Sequence, residues 1–177
     1  APMKGFDFTN HEEDIYVGYR YFDTFDKPVA YPFGYGLSYT SFTYGKPAVK
    51  VNGDKVEISV SVKNTGAVEG KEAVQVYVSA PEAGLEKPAK ELKSFAKSRS
   101  LKPGESETLT MTIPVRDLAS YDEQNSQWLV APGQYTFAVA ANINDIRGTA
   151  KATLKQYTEK TSDVLAPTAP LNLLKRE

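Results

Sequence analysis

Between residues 55 and 63 the chain alternates without a break. Val56, Ile58, Val60 and Val62 fall on one side, and Glu57, Ser59 and Ser61 on the other. A period of two marks a strand that is half buried, because successive side chains leave opposite faces of a sheet. The same period returns in Val74/Val76/Val78, in Leu109/Met111/Ile113 and in Tyr135/Phe137/Val139. Turn chemistry separates the runs. Asn52-Gly53 is a strong two-residue hairpin signal, since both residues tolerate positive φ. Asn64-Thr65-Gly66, Lys102-Pro103-Gly104 and Ala131-Pro132-Gly133 break the chain between later runs. The pattern predicts about seven strands, near 46–51, 55–63, 72–80, 90–97, 105–114, 134–141 and 147–155. It also predicts one helical turn within Asp117–Asp122 and a short strand opened by Trp128.

So many short strands, with no long helical pattern among them, predict an all-β fold: two antiparallel sheets packed as an immunoglobulin-like sandwich. A Cys-Trp-Cys arrangement is missing because the chain has no cysteine, which leaves the fibronectin type III-like variant. The flanks break the alternation, giving three expected regions: 1–45, 46–155 and 156–177. Thirteen of the nineteen Phe and Tyr residues lie within the first 44 positions. Phe6-Asp-Phe8 and Ile15-Tyr-Val17 read as short strands there, and Pro28, Pro32, Gly34 and Gly36 then forbid a long element. A leader this short cannot bury so many rings in a core of its own, so it is expected to pack on something else. The last 22 residues, with Pro167, Pro170 and several leucines, read as an extended tail that also packs.

Composition narrows the function. With 41% hydrophobic and 24% charged residues, the chain falls in the folded, globular class. A net charge of −1 with no Lys/Arg block argues against nucleic-acid binding. No apolar run approaches the length of a membrane-spanning helix. Without cysteine there are no disulfides and no thiolate nucleophile. With His11 as the only histidine, no metal site of the three-histidine kind is expected. Ser38 lacks the glycine pattern of a nucleophile elbow. Glu12, Glu13, Asp14, Asp23 and Asp26 are carboxylates of the kind glycoside hydrolysis uses, but nothing pairs any two across a sugar, and they read as solvated or capping residues. Asn142–Asp145 lacks the glycine and glutamate spacing of a calcium loop and reads as a turn. No catalytic residue, metal or cofactor is therefore expected. The leader's rings suit a docking face, or a carbohydrate-binding platform on which ring faces stack against the C–H faces of sugars. The strand pattern alone also allows an extracellular scaffold or adhesion domain.

The leader carries two motifs, Ile15-Tyr-Val-Gly-Tyr-Arg-Tyr-Phe-Asp23 and Tyr31-Pro-Phe-Gly-Tyr-Gly-Leu-Ser-Tyr-Thr40, the second followed by Phe42. Further along come Asn64-Thr-Gly66, Gly70-Lys-Glu-Ala-Val-Gln-Val-Tyr-Val78, Lys90-Glu-Leu-Lys-Ser-Phe95, Leu101-Lys-Pro-Gly-Glu105, Gly133-Gln-Tyr135 and Asp145-Ile-Arg147. In this order, over roughly residues 13 to 155, the chain resembles the C-terminal region of glycoside hydrolase family 3 β-glucosidases. The resemblance implies a fibronectin type III-like domain and the linker that precedes it, a non-catalytic accessory part of a retaining glycosidase that removes terminal β-linked glucose or a related sugar. The implied partners are the parent's catalytic barrel and α/β sandwich domains, with an oligosaccharide at a cleft edge. The family's catalytic residues lie on those domains, so none transfers to a position here. The docking candidates are Tyr16, Tyr19, Arg20, Tyr21, Phe33, Tyr35 and Tyr39. The family often has glycine where this chain has Asp14, a site at which the backbone is expected to strain. For the parent, a periplasmic or extracellular setting is favoured over a cytoplasmic one.

Overall fold

The computed structural model describes residues 13–81 and 85–162. It opens with a short helix, α1 (Tyr19–Thr24), and then runs through eleven strands. In chain order these are β1 (Phe42–Tyr44), β2 (Ala48–Asn52), β3 (Lys55–Asn64), β4 (Ala73–Ser79), β5 (Glu91–Lys97) and β6 (Ser106–Pro114). After a 3-10 turn at Val115–Leu118 come β7 (Ser120–Asp122), β8 (Gln127–Val130), β9 (Gly133–Asn142), β10 (Asp145–Leu154) and β11 (Tyr157–Lys160).

The strands form two four-stranded antiparallel sheets and a small third one. In the first sheet β6 takes one edge of β3, while β1 and β2 lie end to end along the other. The second has the order β10-β9-β4-β5, and the third the order β11-β8-β7. Alternation does what it predicts. Val56, Ile58, Val60 and Val62 meet Val74, Val76, Tyr135, Phe137 and Val139 between the sheets, in one core with Leu109, Met111 and Ile113. Each buried aliphatic or aromatic side chain contributes roughly 1.5–3 kcal/mol of transfer free energy, which is what holds two such sheets face to face.

The predicted strands near 55–63, 72–80, 90–97, 105–114, 134–141 and 147–155 all form, with ends shifted by a residue or two. The helical turn falls at Val115–Leu118, just ahead of its expected place, and Trp128 stands second in β8. One expectation fails. Ile15-Tyr-Val17 is not a strand but the exit of a turn closed by Tyr16 N–H donating to Glu13 O at 2.9 Å. The three-residue β7 and four-residue β8 and β11 form a sheet of their own, too short for a period of two to register. Phe6-Asp-Phe8, His11 and the tail beyond residue 162 lie outside the described residues.

β4 departs most from a half-buried strand. Val74, Gln75, Val76, Tyr77 and Val78 are buried in succession. Its inward face packs in the core, so its outward face must be covered by something else. The cover is the leader. Tyr77, Ala138, Ala140 and Ile143 form a second apolar cluster on the outer surface of the β10-β9-β4-β5 sheet, packed by Tyr19 and Leu92.

Candidate docking surface

The leader divides into a half that grips the sandwich and a half that faces outward. The grip begins at Tyr16, which is 1% exposed. Its ring meets Phe25 edge-on at 5.0 Å and its hydroxyl donates to Glu86 at 2.7 Å. Helix α1 has six residues and no side-chain cap, too little for a helix to persist alone. It is fixed by the loop and strand beneath it. The Tyr19 hydroxyl accepts the Leu92 N–H at 3.0 Å, and Thr24 Oγ1 accepts the Ala89 N–H at 3.1 Å. Arg20 pairs with Glu91 at 2.8 Å, and Asp23 with Lys90 at 3.0 Å. Tyr21 leans on Phe25, with ring centroids 5.2 Å apart.

Phe33 and Gly34 close the grip. The Phe33 ring stacks on Tyr19 at 4.1 Å, and its carbonyl accepts the Ile143 N–H at 3.0 Å. Gln75 reaches out of β4 and donates through Nε2 to the carbonyls of Gly34 and Ala141, at 3.0 and 3.1 Å. Its Oε1 accepts the Tyr77 hydroxyl at 2.6 Å. Burial, then the neighbouring Tyr19 and Asp23, holds the Tyr77 hydroxyl above its ordinary pKa, so it remains a donor at any physiological pH. Gly34 has φ +79°, and a Cβ there would collide with the Gln75 amide. This glycine is needed for close approach to the sandwich itself, whereas Gly36 has open space around it. Asp14 has φ +50°, the left-handed conformation that a glycine adopts without cost.

On either side of the Phe33-Gly34 contact the chain turns outward. Tyr31 is 74% exposed and Tyr39 fully exposed, with Tyr35 and Leu37 between them also open. Tyr31 and Tyr35 lean on each other at 5.6 Å. Phe95, on the outer face of edge strand β5 and opposite Gln75 in the register, is 72% exposed. A row of open apolar side chains on an otherwise well-packed domain marks a surface made to be covered.

Of the seven candidates read from the sequence, Tyr16, Tyr19 and Arg20 are turned toward the sandwich, Tyr21 packs on Phe22 and Phe25 within the leader, Phe33 bridges, and Tyr35 and Tyr39 look outward. Gln75, Tyr77, Lys90 and Phe95 were not singled out. One signal for the first two was present. Phe137 to Ala141 is an unbroken apolar run, which on a sheet means cover on both faces. Among the described residues no three His, Cys, Asp or Glu side chains gather as a metal would need, and no helix is long and apolar enough to cross a membrane.

Comparison with known proteins identifies the fold: the fibronectin type III-like domain family matches residues 72–143. The chain carries a fibronectin type III-like domain. The solved structure of β-glucosidase 3B from Thermotoga neapolitana, in complex with α-D-glucose, superposes on this chain with a TM-score of 0.81 and 45% identity, over 85% of this chain and 21% of that one. β-Glucosidase A of Butyrivibrio fibrisolvens is 40% identical over 92% of this chain and 23% of its own length. An exo-α-(1→6)-L-arabinopyranosidase of Bifidobacterium longum is 38% identical over 82% of this chain and 19% of its own length. This Fn3-like chain thus spans less than a quarter of the length of each of these three relatives.

Proposed function

We infer that the chain is a non-catalytic accessory region of a family 3 β-glucosidase-type enzyme, and that its outward row of Tyr35, Leu37 and Tyr39 seats on another domain of that parent. The partners are the barrel and the α/β sandwich, and the parent's reaction is removal of terminal β-linked glucose or a related sugar with retention. One observation carries this reading. Within a single segment Tyr16 and Tyr19 are spent on contacts within the domain, while Tyr31, Tyr35, Leu37 and Tyr39 are held open. Such rings gain nothing in the isolated domain and become favourable only when covered. The experiment is gel filtration of the 177-residue chain mixed with a fragment of a similar β-glucosidase that lacks this region. Co-elution is expected, together with no hydrolysis of an aryl β-glucoside by the chain alone. Separate elution, or turnover by the chain that is lost in Asp23→Asn, would sink the proposal.

A further inference from the structure

A second feature of the leader is not explained by docking. Gly18, helix α1 and the Pro28–Phe33 stretch enclose a cavity of about 350 Å³ against the β9–β10 turn at Ile143 and Asn144. That volume lies at the small end of the range for small-molecule clefts, roughly 300–1,000 Å³. Its walls include the rings of Tyr19, Phe22, Tyr31 and Phe33. Its polar lining comes from Asp23, Asp26, Lys27 and Asn144.

We propose that this cavity is a subsite for a neutral pyranose, a monosaccharide or one end of a short glycan. Ring faces and hydrogen-bonding groups of both kinds converge there, as a sugar needs. Its C–H faces are apolar and stack on rings, while its hydroxyls each donate and accept. Phe22 and Tyr31 have open ring surface to offer, and Tyr19 and Phe33 are locked by their own stacking and by the Leu92 and Ile143 amides. A wall held this way orders little on binding, which lowers the cost of association.

The polar groups are available too. Asp26 and Lys27 make no ion pair among the described residues. The Asp23 side chain is nine-tenths buried; Lys90 holds one oxygen at 3.0 Å, and the other has no hydrogen-bond partner among the described residues. Charge selects the ligand class. Asp23 and Asp26 disfavour an anion, and Lys27 with Lys90 offsets them, so the cavity holds no net charge for a cation either. The site is distinct from the outward row, since it does not use Tyr35, Leu37 or Tyr39.

The test is titration of the full 177-residue chain with methyl β-glucoside and cellobiose, followed by amide NMR shifts. Saturable shifts at Gly18, Phe22, Asp26 and Asn144 are expected, with Kd on the order of 1–10 mM. Phe22→Ala and Asp26→Asn should each weaken binding by about fivefold or more, with melting curves confirming that both variants fold; Tyr39→Ala should bind as the parent chain does. Absence of saturation up to about 100 mM, shifts that neither variant alters, or tetramethylammonium binding where the sugars do not would overturn the proposal. If complex formation with the catalytic fragment abolishes sugar binding, the cavity belongs to the domain seam. The subsite then fails for the assembled enzyme while the docking reading stands.

Discussion

Asn64 shows how much one polar side chain can hold. It is fully buried at the end of β3, and its amide is saturated. Nδ2 donates to the carbonyls of Val68 and Leu101, and Oδ1 accepts from Thr40 Oγ1 and the Gly66 N–H. The residue thereby ties the end of the leader to the loop after β3 and to the segment before β6. Asn64→Ala leaves buried donors and acceptors without partners, and should destabilise the domain by about 2–3 kcal/mol in urea unfolding. Glu72 illustrates the opposite case. Burial raises its carboxyl pKa, and this outweighs the hydrogen bond from the Tyr44 hydroxyl and the nearby Arg147, both of which lower it. The folded state therefore binds this proton more tightly than the unfolded chain does. Its contribution favours folding at low pH and is lost as pH rises from the ordinary carboxylate value through the raised one. Glu72→Gln keeps an acceptor for Tyr44 without the charge. It should raise the melting temperature at pH 7, and the advantage over the parent chain should shrink toward pH 4.5. An equal advantage at both pH values would refute the assignment.

Among the elements, the leader's helix is the one that borrows its stability. Tyr19 fills the outer cluster with Tyr77, Ala138, Ala140 and Ile143 and also caps the Leu92 amide. Tyr19→Ala should cost about 2–4 kcal/mol, measured by urea unfolding, because both the apolar contact and the acceptor are lost. Tyr21→Ala, which removes a ring contact away from that cluster, should cost less. The same contrast explains what was readable in advance. β3, β4, β6 and β9 were legible because apolar side chains at every second position mark a core on one side. Helix α1 was not legible, since Tyr19–Thr24 has neither a helical period nor a cap and forms where tertiary contacts put it. The aromatic excess announced an interface, but sequence carries no marker for direction. Gln75 pins the leader to the sheet at Gly34, and its two backbone acceptors at Gly34 and Ala141 are far from it along the chain.

At the scale of the whole molecule, two surfaces with different tasks share one short segment. The inward half completes the domain, and the outward half is the one proposed to seat on a partner. Tyr39→Ala and Leu37→Ala should leave the melting temperature within about 1 °C of the parent chain, because neither side chain touches the core, yet weaken association with the catalytic fragment by about tenfold or more. Equal binding by both variants would remove the outward row from the interface. The Gln75 clamp has a further consequence for a chain that is cut. Tyr35, Leu37 and Tyr39 present chymotrypsin with open sites on a loop anchored at both ends, by Gly34 on one side and by Phe42 in β1 on the other. A nick there severs the backbone without removing what holds either piece. Limited digestion should therefore give two bands on a denaturing gel but a single peak in gel filtration, with the short fragment staying on the sheet as a bound peptide.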